Sequence, residues 1–157
     1  MPKPQKKPGT YLLILRSDEE QWVQVGRKGR FLLPVGYHVY VGSAFGPGGV
    51  ARRLARHLGR LRRKHWHIDH LTSLLEVVEV WFSHDPQKRE CVWSAIVGQM
   101  PGAMVPIERF GCSDCRSCVS HLYSFEGRPR LADFRRRLQA VVPGHAPLGR
   151  VKDVGVV

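Results

Sequence analysis

The chain has 157 residues, 43% of them apolar and 9% aromatic, which is enough for one domain with its own core and excludes a disordered tail. Lys and Arg number 25 against 13 Asp and Glu, giving a formal charge of +12 and a pI near 10.2, so the surface attracts polyanions, nucleic acid first among them. No apolar run approaches the roughly 18 residues of a spanning helix, and the opening residues lack the apolar segment of a signal peptide; the expectation is a cytoplasmic protein with no membrane partner.

Residues 1–8 hold three prolines and three lysines and read as a flexible basic arm. Residues 10–15 are an apolar run closed by the polar cluster 16–20, and residues 21–26 alternate with period two, a pattern that predicts an antiparallel hairpin. A basic turn (27–30) and a short apolar link (31–34) follow, with Pro34 keeping the link from being a central strand. Residues 36–42 then form the third strand of a meander.

From 50 to about 63, Val50, Leu54, Leu58 and Leu61 fall on one helical stripe, and Arg53, His57 and Arg60 share a flank of it. Arg52, Arg56 and Arg63 lie further round toward solvent. Residues 64–71 lead into a second helical piece ending near Glu76, and 77–82 is strongly β in composition. Asp85 before Pro86 has the form of an N-cap, opening a helix to about Gln99 that carries Glu90 and Trp93. Residues 111–120 form a cysteine-rich loop, 121–125 a strand, and 130–142 a helix with Leu131, Phe134, Leu138 and Val141 inward. Residues 143–157 read as a loose tail, and no internal repeat occurs. The fold class is α+β, with one domain over 9–142.

The chain centres on Gly36-Tyr37-His38-Val39-Tyr40-Val41-Gly42-Ser43-Ala44, the glycine loop 45–49 and the basic helix after it. A strand hydroxyl opposite helix guanidiniums is half of a phosphate-handling site, although a lone strand tyrosine by default packs on its cross-strand neighbours. Cys112, Cys115, Cys118 and His121 recur every third residue, a spacing that can wrap one tetrahedral Zn²⁺; the same cysteines can equally stand as reduced thiols beneath the loop. Cys91 reads as core. His65, His67 and His70 with Asp69 suit either a metal site or a hydrogen-bond network holding Trp66, and the network is preferred.

Gly9-Thr10-Tyr11 on the first strand, Tyr40-Val41-Gly42 on a later one and an arginine on the following helix together resemble the GIY-YIG nuclease superfamily. Residues 36–44, 65–69, 111–115 and 120–122 are similar to the group of that superfamily related in name to endonuclease III, and the likeness covers about 9–125. The resemblance implies a small central antiparallel sheet flanked by helices, with an added strand and a cysteine-rich loop. It implies Tyr11 and Tyr40 as active-site tyrosines, Arg53 as the helix arginine, His57 as the polar residue one turn on, and Glu90 as the carboxylate holding Mg²⁺ or Mn²⁺. The implied reaction is phosphodiester hydrolysis, on DNA sooner than RNA, in repair or recombination. Ser43, Arg52, Arg56, Arg60, His65 and His67 are the expected substrate contacts.

The chemistry gives those residue types a reason. Hydrolysis needs a deprotonated water, neutralised non-bridging oxygens and a stabilised leaving oxygen, which a tyrosine, an arginine fork and a carboxylate-held ion can supply. Tyrosine ionises near pH 10, so as a base it needs Arg53 or the metal to lower its pKa. Two departures stand out: 28 residues separate Tyr11 from Tyr40, and Thr10 and Val41 replace the isoleucines of the superfamily's name. Asp69, Glu76, Glu79 and Asp85 compete with Glu90 for the carboxylate role. The alternative function is a nucleic-acid-binding module that keeps this fold without cutting.

Overall fold

The apolar run near the start becomes the middle of the sheet. In a computed structural model, which describes residues 3–59, 64, 66–112 and 115–152, the elements run β1 (Gly9–Ser17), β2 (Gln21–Val25), β3 (Gly29–Leu33), β4 (Gly36–Ala44), α1 (Gly49–Leu58), α2 (His67–Thr72), β5 (Glu76–Ser83), α3 (Glu90–Gln99), β6 (Leu122–Phe125), α4 (Leu131–Val141) and β7 (Gly149–Lys152). The architecture is α+β. A five-stranded sheet of order β6-β4-β1-β5-β7, antiparallel at every pairing, is flanked by helices, and β2 and β3 form a separate two-stranded sheet.

Alternation along the strands divides the core into two. Tyr11, Leu13 and Leu15 of β1, Tyr40 of β4 and Phe82 of β5 face a cluster with Val50 and Leu54 of α1 and Ile68 and Leu71 of α2. Leu12, Ile14, Val39, Val41 and Trp81 face the other way, against Trp93, Ile96 and Val97 of α3 and Phe134 and Leu138 of α4. Both tyrosines thus share the α1 side of the sheet.

The expected 10–26 hairpin does not form. β1 is buried at eight of its nine positions, so both its edges are taken, by β4 and β5, while the half-polar β2 pairs only with β3. The link at 31–34 accordingly lies within and just after β3. Asp85 does not cap a helix, because α3 starts at Glu90 behind Arg89. Instead its carboxylate accepts the Gln87 and Ala146 backbone N–H groups, each at 3.0 Å. Val141, expected inward on α4, is 59% exposed.

Residues 5–7 and 149–152 are tied to the domain. Carbonyls of Gln5 and Lys7, in the expected arm, accept the Ala51 and Val50 N–H groups at 3.0 and 2.9 Å. They satisfy donors that the first turn of α1, which has no side-chain cap, would otherwise leave open. The segment expected as a loose tail supplies β7, where Gly149 lies so close to Phe82 that a Cβ there would sit 2.3 Å from the ring. No helix among the described residues is long and apolar enough to cross a membrane.

Asp85 is buried and clasps the 143–148 segment. Replacing it with alanine should strand both N–H groups and cost about 1–3 kcal/mol, read as a lowered Tm.

Candidate functional site

Strand register brings the two tyrosines together. Tyr11 lies opposite Gly42 and Leu13 opposite Tyr40, so Tyr11 and Tyr40 sit diagonally on one face with ring centroids 6.3 Å apart. Gly42 makes this possible, since a Cβ there would fall 2.4 Å from the Tyr11 hydroxyl. Above that face, α1 presents Arg53 and His57, which are one turn apart. The Tyr11 hydroxyl and His57 Nε2 are 2.6 Å apart in a hydrogen bond, and Arg53 Nη1 donates to the Ser43 carbonyl at 3.0 Å. Tyr40 completes the group, with its ring 6.4 Å from that of His57 and edge-on to Phe110.

The electrostatics depart from expectation. Burial drives the Tyr11 phenol far above its ordinary pKa, with Arg53 opposing in part, and burial does the same to Tyr40. Burial also lowers His57, from 6.5 to about 4. Arg53 therefore acts on Tyr11 in the expected direction but is outweighed. At neutral pH both phenols keep their protons, and the neutral group able to accept one is His57.

Trp66 is the pivot of the neighbouring wall. The buried Asp69 carboxylate accepts the Trp66 backbone N–H at 2.9 Å and pairs with Arg56 at 2.8 Å. The guanidinium carbons of Arg53 and Arg56 lie 4.3 and 4.5 Å from the centroid of the Trp66 ring, within cation–π range. His67 Nδ1 accepts the Gly111 N–H at 2.9 Å. Asp69 thus holds Trp66, whereas His67 ties the start of α2 to Gly111 instead. His65 and Arg60, two of the expected substrate contacts, lie outside the described residues.

A cleft of about 480 Å³ opens between these elements, and its lining includes Tyr40, Ser43, Arg53, Trp66, His67, Lys88 and Glu90. A second depression of about 450 Å³ shares Arg53 and Trp66 and adds Arg52 and Arg56. Tyr11 and His57, 1% and 3% exposed, lie beneath the cleft and are not part of its wall. Lys88 is a wall residue that the sequence reading missed, although its place two residues before Glu90 was a usable signal. A larger depression of about 850 Å³, running between Met100 and Arg136, contains none of these side chains.

The cysteines assort differently from their spacing. Ligand atoms of Cys91, Cys115, Cys118 and His121 all lie within 4.8 Å of one another, a set that could hold a metal ion. Cys112 is outside it, buried with its Sγ 3.4 Å from the Phe110 carbonyl, and is not a ligand as expected. Cys91 is exposed rather than core, with its sulfur 3.3 Å from that of Cys115. Burial opposes ionisation of Cys115, but hydrogen bonds from Cys118 and Cys91 outweigh it and bring the thiol down to about 6. Cys91 and Cys115 also line the cleft, and Glu90 Oε1 lies 2.8 Å from His121 Nδ1. The cluster and the cleft therefore share a wall. Ser113 and Asp114 lie outside the described residues.

His57 makes stability depend on pH. Its pKa is about 4 when folded against 6.5 when unfolded, so between those values the unfolded chain binds more protons. Stability that is complete above about pH 6.5 is then lost as pH falls toward 4, by on the order of 3 kcal/mol in full. Thermal unfolding from pH 7 to 4.5 should show a steeper fall in Tm for the natural chain than for His57→Gln.

No curated protein and no solved structure matches the chain. The family described as "Domain of unknown function DUF123" matches residues 10–142, a span that runs from Thr10 in β1 through α4 and takes in every side chain placed around the cleft and the cluster, and the chain belongs to that family.

Proposed function

We propose that this protein is a metal-dependent endonuclease that hydrolyses phosphodiester bonds of DNA. The observation that carries the reading is the convergence of Tyr40, Arg53 and Glu90 on one cleft, with the hydrogen-bonded Tyr11 and His57 directly beneath. The choice of DNA follows from the resemblance to the GIY-YIG nucleases. The formal charge of +12 and the second depression lined by Arg52 and Arg56 favour a polyanion that spans more than one phosphate.

Each side chain has a task. Arg53 and Lys88 neutralise non-bridging oxygens of the bound phosphodiester, and Arg53 is held for this by the Ser43 carbonyl and the Trp66 ring. Tyr40, protonated at neutral pH, donates its hydroxyl to the same group. Neutral His57, hydrogen-bonded to the Tyr11 hydroxyl, holds that ring in place beneath Tyr40 and Arg53, and burial keeps both groups uncharged.

Glu90 is the one carboxylate among the described residues that line the cleft. A single carboxylate, with water and phosphate oxygens for the remaining positions, fits Mg²⁺ or Mn²⁺. With one oxygen facing His121, the other is the one a cleft ion would use. Such an ion would supply Lewis acidity toward the phosphate. The sulfur-rich cluster suits a softer ion, and Zn²⁺ is assigned to it.

Nicking assays on single-stranded, duplex and branched DNA with Mg²⁺ or Mn²⁺ test the reading, beside a gel shift at several salt concentrations. Tyr40→Phe and Arg53→Ala should each lower the cleavage rate by roughly 10²–10³ while binding stays within a few-fold. Unchanged nicking by both variants overturns the proposed site. Salt-sensitive binding with no cleavage of any substrate would instead identify a nucleic-acid-binding module, a role compatible with both phenols remaining protonated.

A further inference from the structure

The cysteine cluster bears on the carboxylate next to it. His121 is fully buried, yet neither ring nitrogen has an aligned hydrogen-bond partner among the described residues. Glu90 Oε1 stands 2.8 Å from Nδ1, at ion-pair distance but out of hydrogen-bond alignment. A buried imidazole left this way is costly unless something else engages it. Three thiols stand beside it, with all four ligand atoms within 4.8 Å of one another. Tetrahedral Zn²⁺ with bonds of about 2.0–2.3 Å holds its ligand atoms roughly 3.5–3.8 Å apart, so a small contraction suffices.

We propose that Cys91, Cys115, Cys118 and His121 bind one Zn²⁺ tetrahedrally, and that this centre positions Glu90 at the cleft through His121. With Nδ1 facing Glu90, Nε2 is the nitrogen left for the metal. Glu90, His121 and zinc then form a carboxylate–histidine–metal chain, in which the carboxylate fixes the ring's tautomer and the ring fixes the carboxylate. Cys91 follows Glu90 in the first turn of α3, so the metal also anchors the backbone that carries the carboxylate. The positioning half rests on the reading of Glu90 as the carboxylate of the hydrolytic cleft; the zinc half does not.

Zinc content and Co²⁺ spectra of the full chain test both halves without any cleavage assay. The natural protein should carry one equivalent of zinc, and its Co²⁺ form should show the visible bands of a tetrahedral, thiolate-rich site. Cys91→Ser, at an exposed position, should lose the metal with the fold intact by circular dichroism, whereas Cys112→Ala should keep it. A zinc-free natural chain, or loss with Cys112→Ala and retention with Cys91→Ser, overturns the assignment. Glu90→Gln should weaken zinc binding by roughly 10- to 100-fold and shift the Co²⁺ bands; unchanged affinity and spectrum overturn the positioning role. If zinc binds as stated and DNA is never cut, the centre stands and the nuclease reading alone falls.

Discussion

The hydrogen bond between the Tyr11 hydroxyl and His57 Nε2, 2.6 Å long and out of contact with solvent, fixes most of what surrounds it. It requires β1 and β4 to be paired in one register, so that the phenol passes over a residue with no side chain. Gly42 is that residue. It also requires α1 to lie close enough over the sheet for an imidazole to reach the phenol, which Val50 and Leu54 secure by packing into the same cluster as Leu13 and Leu15. Burial holds both groups neutral, and the bond between them offsets the loss of water that burial imposes. A slip of one residue in β1 would turn Tyr11 to the α3 side and leave His57 facing Thr10 or Leu12.

The same constraint distributes the positive charge. Arginines on one short helix repel one another, and the structure relieves this unevenly. Arg56 meets the buried Asp69 carboxylate at 2.8 Å, whereas Arg53 donates to the neutral Ser43 carbonyl and lies over the Trp66 ring. Neither of those partners cancels a full charge. Arg53 and Lys88 therefore supply the positive charge inside the cleft, opposite the Glu90 carboxylate, and Arg52 extends it along the adjoining depression. Arg53 differs from Arg56 in how little of its charge is neutralised, and from Arg52 in lining the cleft.

What was legible in the sequence follows from how local each signal is. Val50 and Leu54 of the α1 stripe and the inward residues Leu131, Phe134 and Leu138 of α4 depend on spacing within one element, and they lie where periodicity put them; Leu58, at the end of α1, is instead 42% exposed, and Leu61 lies outside the described residues. Sheet order was not legible, because a hairpin between 10–15 and 21–26 satisfies the same alternation as the observed pairing of β1 with β4 and β5. β7 was hidden for a similar reason. Its four residues carry little apolar character of their own, and the close approach of Gly149 to Phe82 is purely tertiary. At the site, Tyr11, Tyr40, Arg53 and His57 could be grouped from motif and helix spacing, but the direction of the tyrosine shifts could not. That direction depends on burial, which the sequence does not state.

Cys91 shows the limit most clearly. Three cysteines and a histidine at regular spacing suggest a closed local loop, but four ligands drawn from so short a segment constrain it tightly. The observed cluster replaces Cys112 with a cysteine 24 residues before Cys115, and by doing so it joins the loop to α3. Consecutive residues of a helix point about 100° apart, so Glu90 and Cys91 cannot both turn toward the same atom. The first turn of α3 thus serves two chemistries, a soft sulfur-rich cluster and a cationic cleft, with Cys91 and Cys115 belonging to both. His121, a buried member of the cluster, adds a third link by lying 2.8 Å from Glu90. A loop closed on Cys112 would have left α3 joined to it, among the described residues, only through the Ser94 hydroxyl, which donates to the Ser120 carbonyl at 2.7 Å, and the Glu90–His121 pair.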